Sequence, residues 1–433
     1  MVDFQIVVIG AGAAGLVAAA RAAQAGRRVL LLEKNRKTGA KILMSGGTRC
    51  NLTHDCGSEA IIEAFGKPGR FLRQALRELS PQDTVSMFNG LGVATKVEDT
   101  GKVFPRNDRA VEVRDALLQD AIRHGVQIQT AAPVVAIERA ATHFEVVTGQ
   151  DRLPGGRNRL TAERVIVTSG GRSWPGCGTT GDGYRWLQEL GHTIEPTRPA
   201  LVPLTGGATW SQQLSGLTLP SVSLSVWNNP EVGQAGKKQK PLVTRSGGFL
   251  FTHQGFSGPA VMDVSRQLTI PQGCQLRRLQ ADFLPDMSVP ELESWLAQQR
   301  QHSGGQNAAT VISRLVPKRL ATALVALAAE SETVAATPLA ELRRGVMQRL
   351  VTVSKTVDLT VRGSRGFEKA EVTAGGVRLK EVDPRTMESR LVPGLHIAGE
   401  VLDLDGWIGG YNFQSAFSTG HVAGQAAAAL VEG

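Results

Sequence analysis

Residues 4–33 read FQIVVIGAGAAGLVAAARAAQAGRRVLLLE. A short apolar run ends at Gly10. A glycine-rich turn follows, then a run of small residues with helical character, then Gly26 and a second apolar run that stops at Glu33. This order of strand, G-x-G-x-x-G turn, helix, strand and acid is the start of a doubly wound α/β domain. Gly10 permits the tight turn, Gly12 lets backbone approach a pyrophosphate, and Gly15 lets the helix lie close to the sheet. The helix N-terminus offers unpaired N–H groups and partial positive charge to an anion. Glu33 is placed to accept hydrogen bonds from both ribose hydroxyls of an adenosine and to repel a 2′-phosphate. Ala14 and Lys34 complete the contacts expected here. NAD and FAD share this fingerprint, so residues 4–33 alone do not choose between them.

Three distant stretches point to FAD. Residues 161–184, TAERVIVTSGGRSWPGCGTTGDGY, hold a buried strand ending at Gly170 and Gly171. Residues 392–428 hold a strand through Leu395–Ala398, then Gly399 and Glu400, then a helix starting near Gly409 and Gly410. An acid after that glycine suits a ribityl chain, and a helix N-terminus suits the charge that builds on a flavin ring during reduction. Gly410, Asn412 and Phe413 are the expected contacts there. The third stretch is VVAIER, 134–139, whose backbone at Val135 is placed to pair with an adenine edge. A plain NAD site would be finished by mid-chain.

Between these ends lies KILMSGGTRCNLTH, residues 41–54. It shows neither helical nor strand periodicity and reads as a second cofactor-holding loop. Lys37 and Lys41 would neutralise pyrophosphate, Ser45, Gly46 and Gly47 would present N–H groups, and Arg49 and Asn51 would hold phosphate or the flavin edge. Cys50 and Cys56 have five residues between them, which does not match the C-x4-C pair of disulfide reductases. Cys50 reads first as a small buried hydrophobe, with a redox-sensitive thiol as the alternative should Lys41 or Arg49 favour its thiolate. The chain has 4 cysteines and no C-x-x-C, so neither a zinc framework nor a disulfide scaffold is expected.

The motifs AKILMSGGTRCNLTH, GGRSWPGCGTTGDGY, FTHQGFSGPA, EVTAGGV, TMES and GLHIAGEVLDLDGWIGGYN resemble, in order, those of the BaiN/RdsA-type flavoproteins. These are also labelled aminoacetone-oxidase-family or YhiN-like FAD-dependent enzymes. The resemblance covers essentially the whole chain. It implies an α/β fold: a discontinuous Rossmann-like FAD-binding domain with an inserted antiparallel β-barrel-like domain that carries a small helical subdomain. TAGGV, 373–377, also resembles the glycine pair near the flavin in fumarate-reductase-type flavoproteins. Thr48 stands where the family pattern has a third glycine, His54 where it has Asn, and Trp407-Ile408 where it is more polar. The first bears on backbone geometry and the last on the shape of the substrate pocket.

The expected organisation is an FAD-binding domain at 1–195 and 371–433, a β-barrel-like insert at 196–287, helices at 288–350, and return strands of the insert at 351–370. SVSLSVW, GGFLFTH and LRRLQADF alternate as antiparallel strands do. Ser257 and Ser288 are the expected helix caps, with Pro290 in the first turn after the latter. No second G-x-G-x-x-G exists, so the insert is not a dedicated NAD(P)H domain. A nicotinamide would have to dock transiently at the flavin.

The formal net charge of +9 and pI of about 9.6 permit attraction to anions, RNA included. No long block of like charge appears. Lys237, Lys238 and Lys240 read as a solvated hairpin tip, and only 2 Tyr are present, which argues against an aromatic nucleic-acid platform. The start of the chain lacks a basic region before its apolar run, no stretch nears ~20 apolar residues, and a reducing cytoplasm is the expected location.

The function expected is FAD-dependent, NAD(P)H-linked reduction of a C=C or enone-type small molecule by hydride transfer at flavin N5, with His253 and Tyr411 as candidate proton groups and no metal. One alternative is an FAD-dependent amine or aminoketone oxidase. Another is an RNA-associated or regulatory flavin-binding protein.

Overall fold

The computed structural model describes residues 2–429 apart from 150, 152, 230–239, 332, 333 and 335. Lys237 and Lys238 therefore lie outside the described residues. The chain forms two compact units, Met1–Pro199 with Phe367–Gly433, and Ala200–Gly366. The sequence reading placed its breaks nearby, at 195 and 370.

In the first unit, β1 (Phe4–Ile9) lies parallel to β2 (Val29–Leu32), and α1 (Ala13–Gln24) crosses between them. The other side of β1 pairs in parallel with the long strand that returns from mid-chain, and the far side of β2 pairs with Gln127–Gln129. That order comes from burial on both faces: Val7, Val8, Leu31, Val165 and Ile166 are all fully buried, which favours apolar, β-branched, parallel strands. A helical segment broken at Ser45, α2 (Ala40–Thr48), follows β2. An antiparallel extension is formed by β3 (Val134–Arg139), β4 (Phe144–Thr148) and β5 (Arg159–Val167), of which β5 is the return strand. The far end of β5 also takes the short parallel strand β6 (Leu395–Ile397). β6 delivers the chain to its last described helix, α3 (Tyr411–Ala428).

α1 and α3 pack face to face through small residues. A methyl group on Gly420 would lie 2.4 Å from the Ala14 carbonyl oxygen, and one on Gly424 would lie 2.3 Å from that of Ala18. Only hydrogen fits at either position, so this pair of glycines sets how closely the C-terminal helix approaches the nucleotide turn.

The second unit contains a seven-stranded sheet in the order 357–359, 277–282, 218–228, 243–252, 255–257, 204–206, 361–364, with antiparallel pairs throughout. Its two edge strands, Val357–Leu359 and Val361–Ser364, are joined by Thr360 alone. Laid flat at ~4.8 Å per strand, those edges would stand ~29 Å apart. A one-residue link reaches only about 7 Å. The sheet must therefore curl until its edges nearly meet, although no pairing closes it among the described residues. Phe249, Phe251 and Phe256 fill the inside of the curl with edge-on and tilted ring contacts.

Ser288 caps Val289–His302 in a reciprocal capping box with Glu291, as its sequence predicts. Ser257 does not cap. It ends a strand, and Gly258, at φ 100°, stands at the N-cap of Pro259–Leu268 with no side-chain cap. A reversal at positive φ takes the place of a hydroxyl there. The last helix of this unit runs to Lys355, five residues past the boundary expected at 350.

Candidate functional site

The β1–α1 turn is held from two sides. Thr168, just past β5, donates its hydroxyl to the carbonyls of Ile9 and Gly10 at 3.0 and 2.9 Å. Glu33 accepts from the backbone N–H of Ala11 at 2.9 Å and of Asn35 at 2.8 Å, and is buried. A side-chain carbon at Gly15 would sit 1.8 Å from the Gly10 carbonyl oxygen, whereas one at Gly12 would meet nothing within 4 Å. The first glycine is thus required by packing. The second leaves its backbone open to a ligand.

Residues 40–54 are less loop-like than their lack of periodicity implied. Ala40 opens a helical segment that breaks at Ser45, where ψ swings to 150°. Gly46, Gly47, Thr48 and Cys50 then all take positive φ, at 56, 68, 70 and 61°. The Cys50 N–H closes the excursion on the Ser45 carbonyl at 3.1 Å, and the Ser45 hydroxyl donates to Ile42 at 2.8 Å. Cys50 is completely buried, and burial pushes its thiol up to about 12 despite an opposing hydrogen bond from Ser45. It forms no disulfide.

Four segments meet at Glu400. Its Oε1 accepts from the Ser173 hydroxyl at 2.7 Å and the Thr373 N–H at 2.9 Å, while its Oε2 pairs with Lys41 Nζ at 2.5 Å. Lys41 also donates to Ser173. Thr373 Oγ1 accepts from the N–H groups of Arg172 and Ser173. Gly170 and Gly171 lead directly into this network, and the Gly399 N–H is held by the Thr419 hydroxyl at 3.1 Å. The nearby Glu371 carboxyl is raised, first by burial and further by Glu400, with Lys41 opposing.

At the start of α3, Gly410 is the N-cap, no side chain caps the helix, and no acid stands in its first turn. Asn412 spends both ends of its amide on the preceding loop, bonding Gly406 and Trp407. Phe413 packs on Phe417. Tyr411 stacks on His54 with centroids 5.0 Å apart and meets Trp407 edge-on at 6.2 Å. His54 Nδ1 is 3.1 Å from the Gly409 carbonyl. Beside this start, Asn51 Oδ1 is buried without a hydrogen-bond partner. Such an atom costs on the order of 1–3 kcal/mol unless a ligand donor meets it.

Other expected residues stand apart from this cluster. Lys34 pairs with Asp182 at 2.5 Å. Arg49 is held by Glu98 at 2.6 Å and lies over the Phe104 ring at 4.0 Å. Val135 occupies a bulge in β3, outside the β3–β4 register, and its carbonyl accepts from Arg185 at 3.0 Å. His253 belongs to the second unit, in the turn between Val243–Thr252 and Gly255–Ser257.

Ser173, Thr373 and Thr168 were not singled out from sequence, nor were the buried, unpartnered hydroxyls of Ser169 and Tyr184. Burial comes first among the causes that push the Tyr184 phenol up. Thr168 and Ser169 lie within RVIVTSGG, Ser173 and Tyr184 lie in the GGRSWPGCGTTGDGY stretch that continues it, and Thr373 opens TAGGV, so the signal was position within a recognised motif. Among the described residues, no helix is long and apolar enough to cross a membrane, and no cluster of metal-ligating side chains occurs.

Residues 4–426 match the family described as HI0933-like protein Rossmann domain. A ribosomal RNA dihydrouridine synthase of Escherichia coli (strain K12) is 32% identical over 437 residues, covering 98% of this chain and 98% of that protein. A 3-dehydro-bile acid delta(4,6)-reductase of Clostridium scindens is 31% identical over 428 residues, 98% of this chain and 99% of that one. Among solved structures, a 3-ketosteroid-delta4-(5alpha)-dehydrogenase from Rhodococcus jostii RHA1 has a TM-score of 0.48 at 14% identity, covering 99% of this chain and 98% of that one.

Proposed function

Because the chain belongs to the HI0933-like Rossmann family of FAD-dependent oxidoreductases, we propose that it reduces a carbon–carbon double bond conjugated to a carbonyl, using electrons from NADH or NADPH. The names of the two full-length relatives support this reading, since both denote addition of hydrogen to an unsaturated ring. The structural observation that carries it is the unpartnered Asn51 Oδ1 beside the uncapped start of α3. A buried acceptor next to a positive helix end suits a flat ring that presents an N–H donor and gains negative charge.

When bound, FAD supplies hydride transfer. The protein residues divide the remaining work. Gly12 and the start of α1 would take the pyrophosphate, Glu33 the ribose hydroxyls, and the backbone at Val135 the adenine edge. Glu400 is held by Lys41, Ser173 and Thr373, and this position suits polyol hydroxyls. Asn51, with Gly46 and Gly47, would hold the ring edge. Tyr411, held between His54 and Trp407, is the group assigned to deliver the proton.

The test uses the purified protein and its visible spectrum. NADH and NADPH are added separately without oxygen, then a cyclic enone. Bleaching by a pyridine nucleotide and recovery with the enone is the expected result. Absence of any flavin after reconstitution, or bleaching by amines only, rules the reading out.

A second reading has its own support in the ribosomal RNA named for one relative and in the +9 charge. On that reading the double bond is a uracil C=C within RNA. Reduced flavin would then recover with uridine-containing RNA and not with the enone, and binding would fall steeply with salt.

A further inference from the structure

The second unit has a pocket of its own, about 350 Å³, with mostly apolar walls. Leu250 supplies partly exposed apolar surface there, with Leu204 and Phe251 buried behind it, and Ser215 and Ser257 add hydroxyls. His253 and Arg365 stand at it, both exposed, and neither side chain has a hydrogen-bond or ion-pair partner among the described residues. No acid lines it.

The backbone explains why these two side chains are displayed. A side-chain carbon at Gly255 would lie 2.3 Å from the Leu204 carbonyl oxygen, so the strand pair 204–206 and 255–257 closes tightly. That fixes the two-residue turn His253–Gln254 beside Leu204. Arg365 is anchored by its own N–H on the Pro203 carbonyl at 3.0 Å, one residue before Leu204. Both groups are thus carried by the sheet next to one strand, while their side-chain ends stay free.

We infer that this pocket binds a small amphipathic anion, its apolar body against Leu250 and its terminal carboxylate or phosphate on Arg365 and His253. An unpaired guanidinium offers a planar fork of donors that matches either head group. The volume admits a single small molecule of drug or metabolite size. The inference stands apart from the reading above. Binding itself needs no turnover.

The experiment is calorimetric titration of the FAD-replete full chain, so that the nucleotide cradle is filled. The probes are decanoate, decyl phosphate and decanol, followed by Arg365→Gln and His253→Gln. Decanoate or decyl phosphate should bind at least tenfold more tightly than decanol, and the tighter of the two identifies the head group. Arg365→Gln should weaken the anion about tenfold, the loss expected of one charged hydrogen bond, and leave decanol within twofold. His253→Gln should weaken it less. Leu250→Trp, which fills the pocket, should weaken all three. The inference is overturned if decanol binds as well as the anions, if Arg365→Gln leaves anion affinity unchanged, or if oligouridylate binds and decanoate does not. Enone turnover with no anion binding would overturn this inference and leave the proposed reaction standing. Binding with no turnover would do the reverse.

Discussion

Lys41 Nζ and Glu400 Oε2 are 2.5 Å apart although 359 positions separate them in sequence. The two side chains are 25% and 18% exposed, so the pair lies between a surface ion pair and a buried one. Lys41→Met should cost about 2 kcal/mol in urea unfolding, because Glu400 would keep only Ser173 and Thr373 as donors. Adding Glu400→Gln should recover part of that loss. A double-mutant cycle showing no coupling would remove the pair from the account of how this site is held.

Thr48 is a β-branched residue at φ 70°, in the middle of a positive-φ run otherwise led by glycines. Its hydroxyl donates to Gly47 at 2.5 Å, which does not relieve the backbone. Thr48→Gly should stabilise the protein by about 1 kcal/mol, and Gly47→Ala should cost about as much, since nothing lies within 4 Å to add a clash. Thermal melts of both variants check the pair of signs.

Cys50 leads to a pH prediction. Its thiol is raised from 9.0 to about 12 in the folded protein, so the folded state keeps a proton that the unfolded chain gives up above about pH 9. This contribution to stability is complete below pH 9 and is lost as pH rises from about 9 towards 12. Urea melts at pH 8 and pH 10.5 should show a smaller drop for Cys50→Ala than for the parent. At pH 8, iodoacetamide should spare Cys50 in the folded protein, and Cys50→Ala should retain flavin.

Gly424→Ala would place a methyl 2.3 Å from a backbone oxygen of α1. Neither backbone can yield cheaply, so the expected loss is about 2–3 kcal/mol with weakened FAD retention. Gly26→Ala is the contrasting substitution. It has positive φ and no neighbour within 4 Å, and should cost about 1 kcal/mol without affecting the flavin.

Much of the nucleotide half was legible because its signals are local. Gly10, Gly15 and Glu33 belong to one strand–helix–strand unit, and Glu33 bonds back to the Ala11 N–H inside the glycine turn. The Glu400 network was only half legible. The motif around Gly399 marked Glu400, and the loop marked Lys41, but their pairing depends on β5 and β6 lying side by side, which no local pattern states. Arg49 shows the opposite case. From sequence it looked available for phosphate, while Glu98 and Phe104, some fifty residues on, engage it through a small sheet that residues 41–54 alone do not reveal. Ser257 was a reasonable cap by residue type, and Gly258's reversal removed the need for one.

The close contact of α1 with α3 also bears on how the chain is made. Ala14 and Ala18 emerge from the ribosome some four hundred residues before Gly420 and Gly424, the partners that cover them. Through most of synthesis the nucleotide turn therefore lacks its covering helix, and the first unit stays incomplete until α3 arrives. Cofactor capture is in this sense a late event, coupled to the arrival of the last helix.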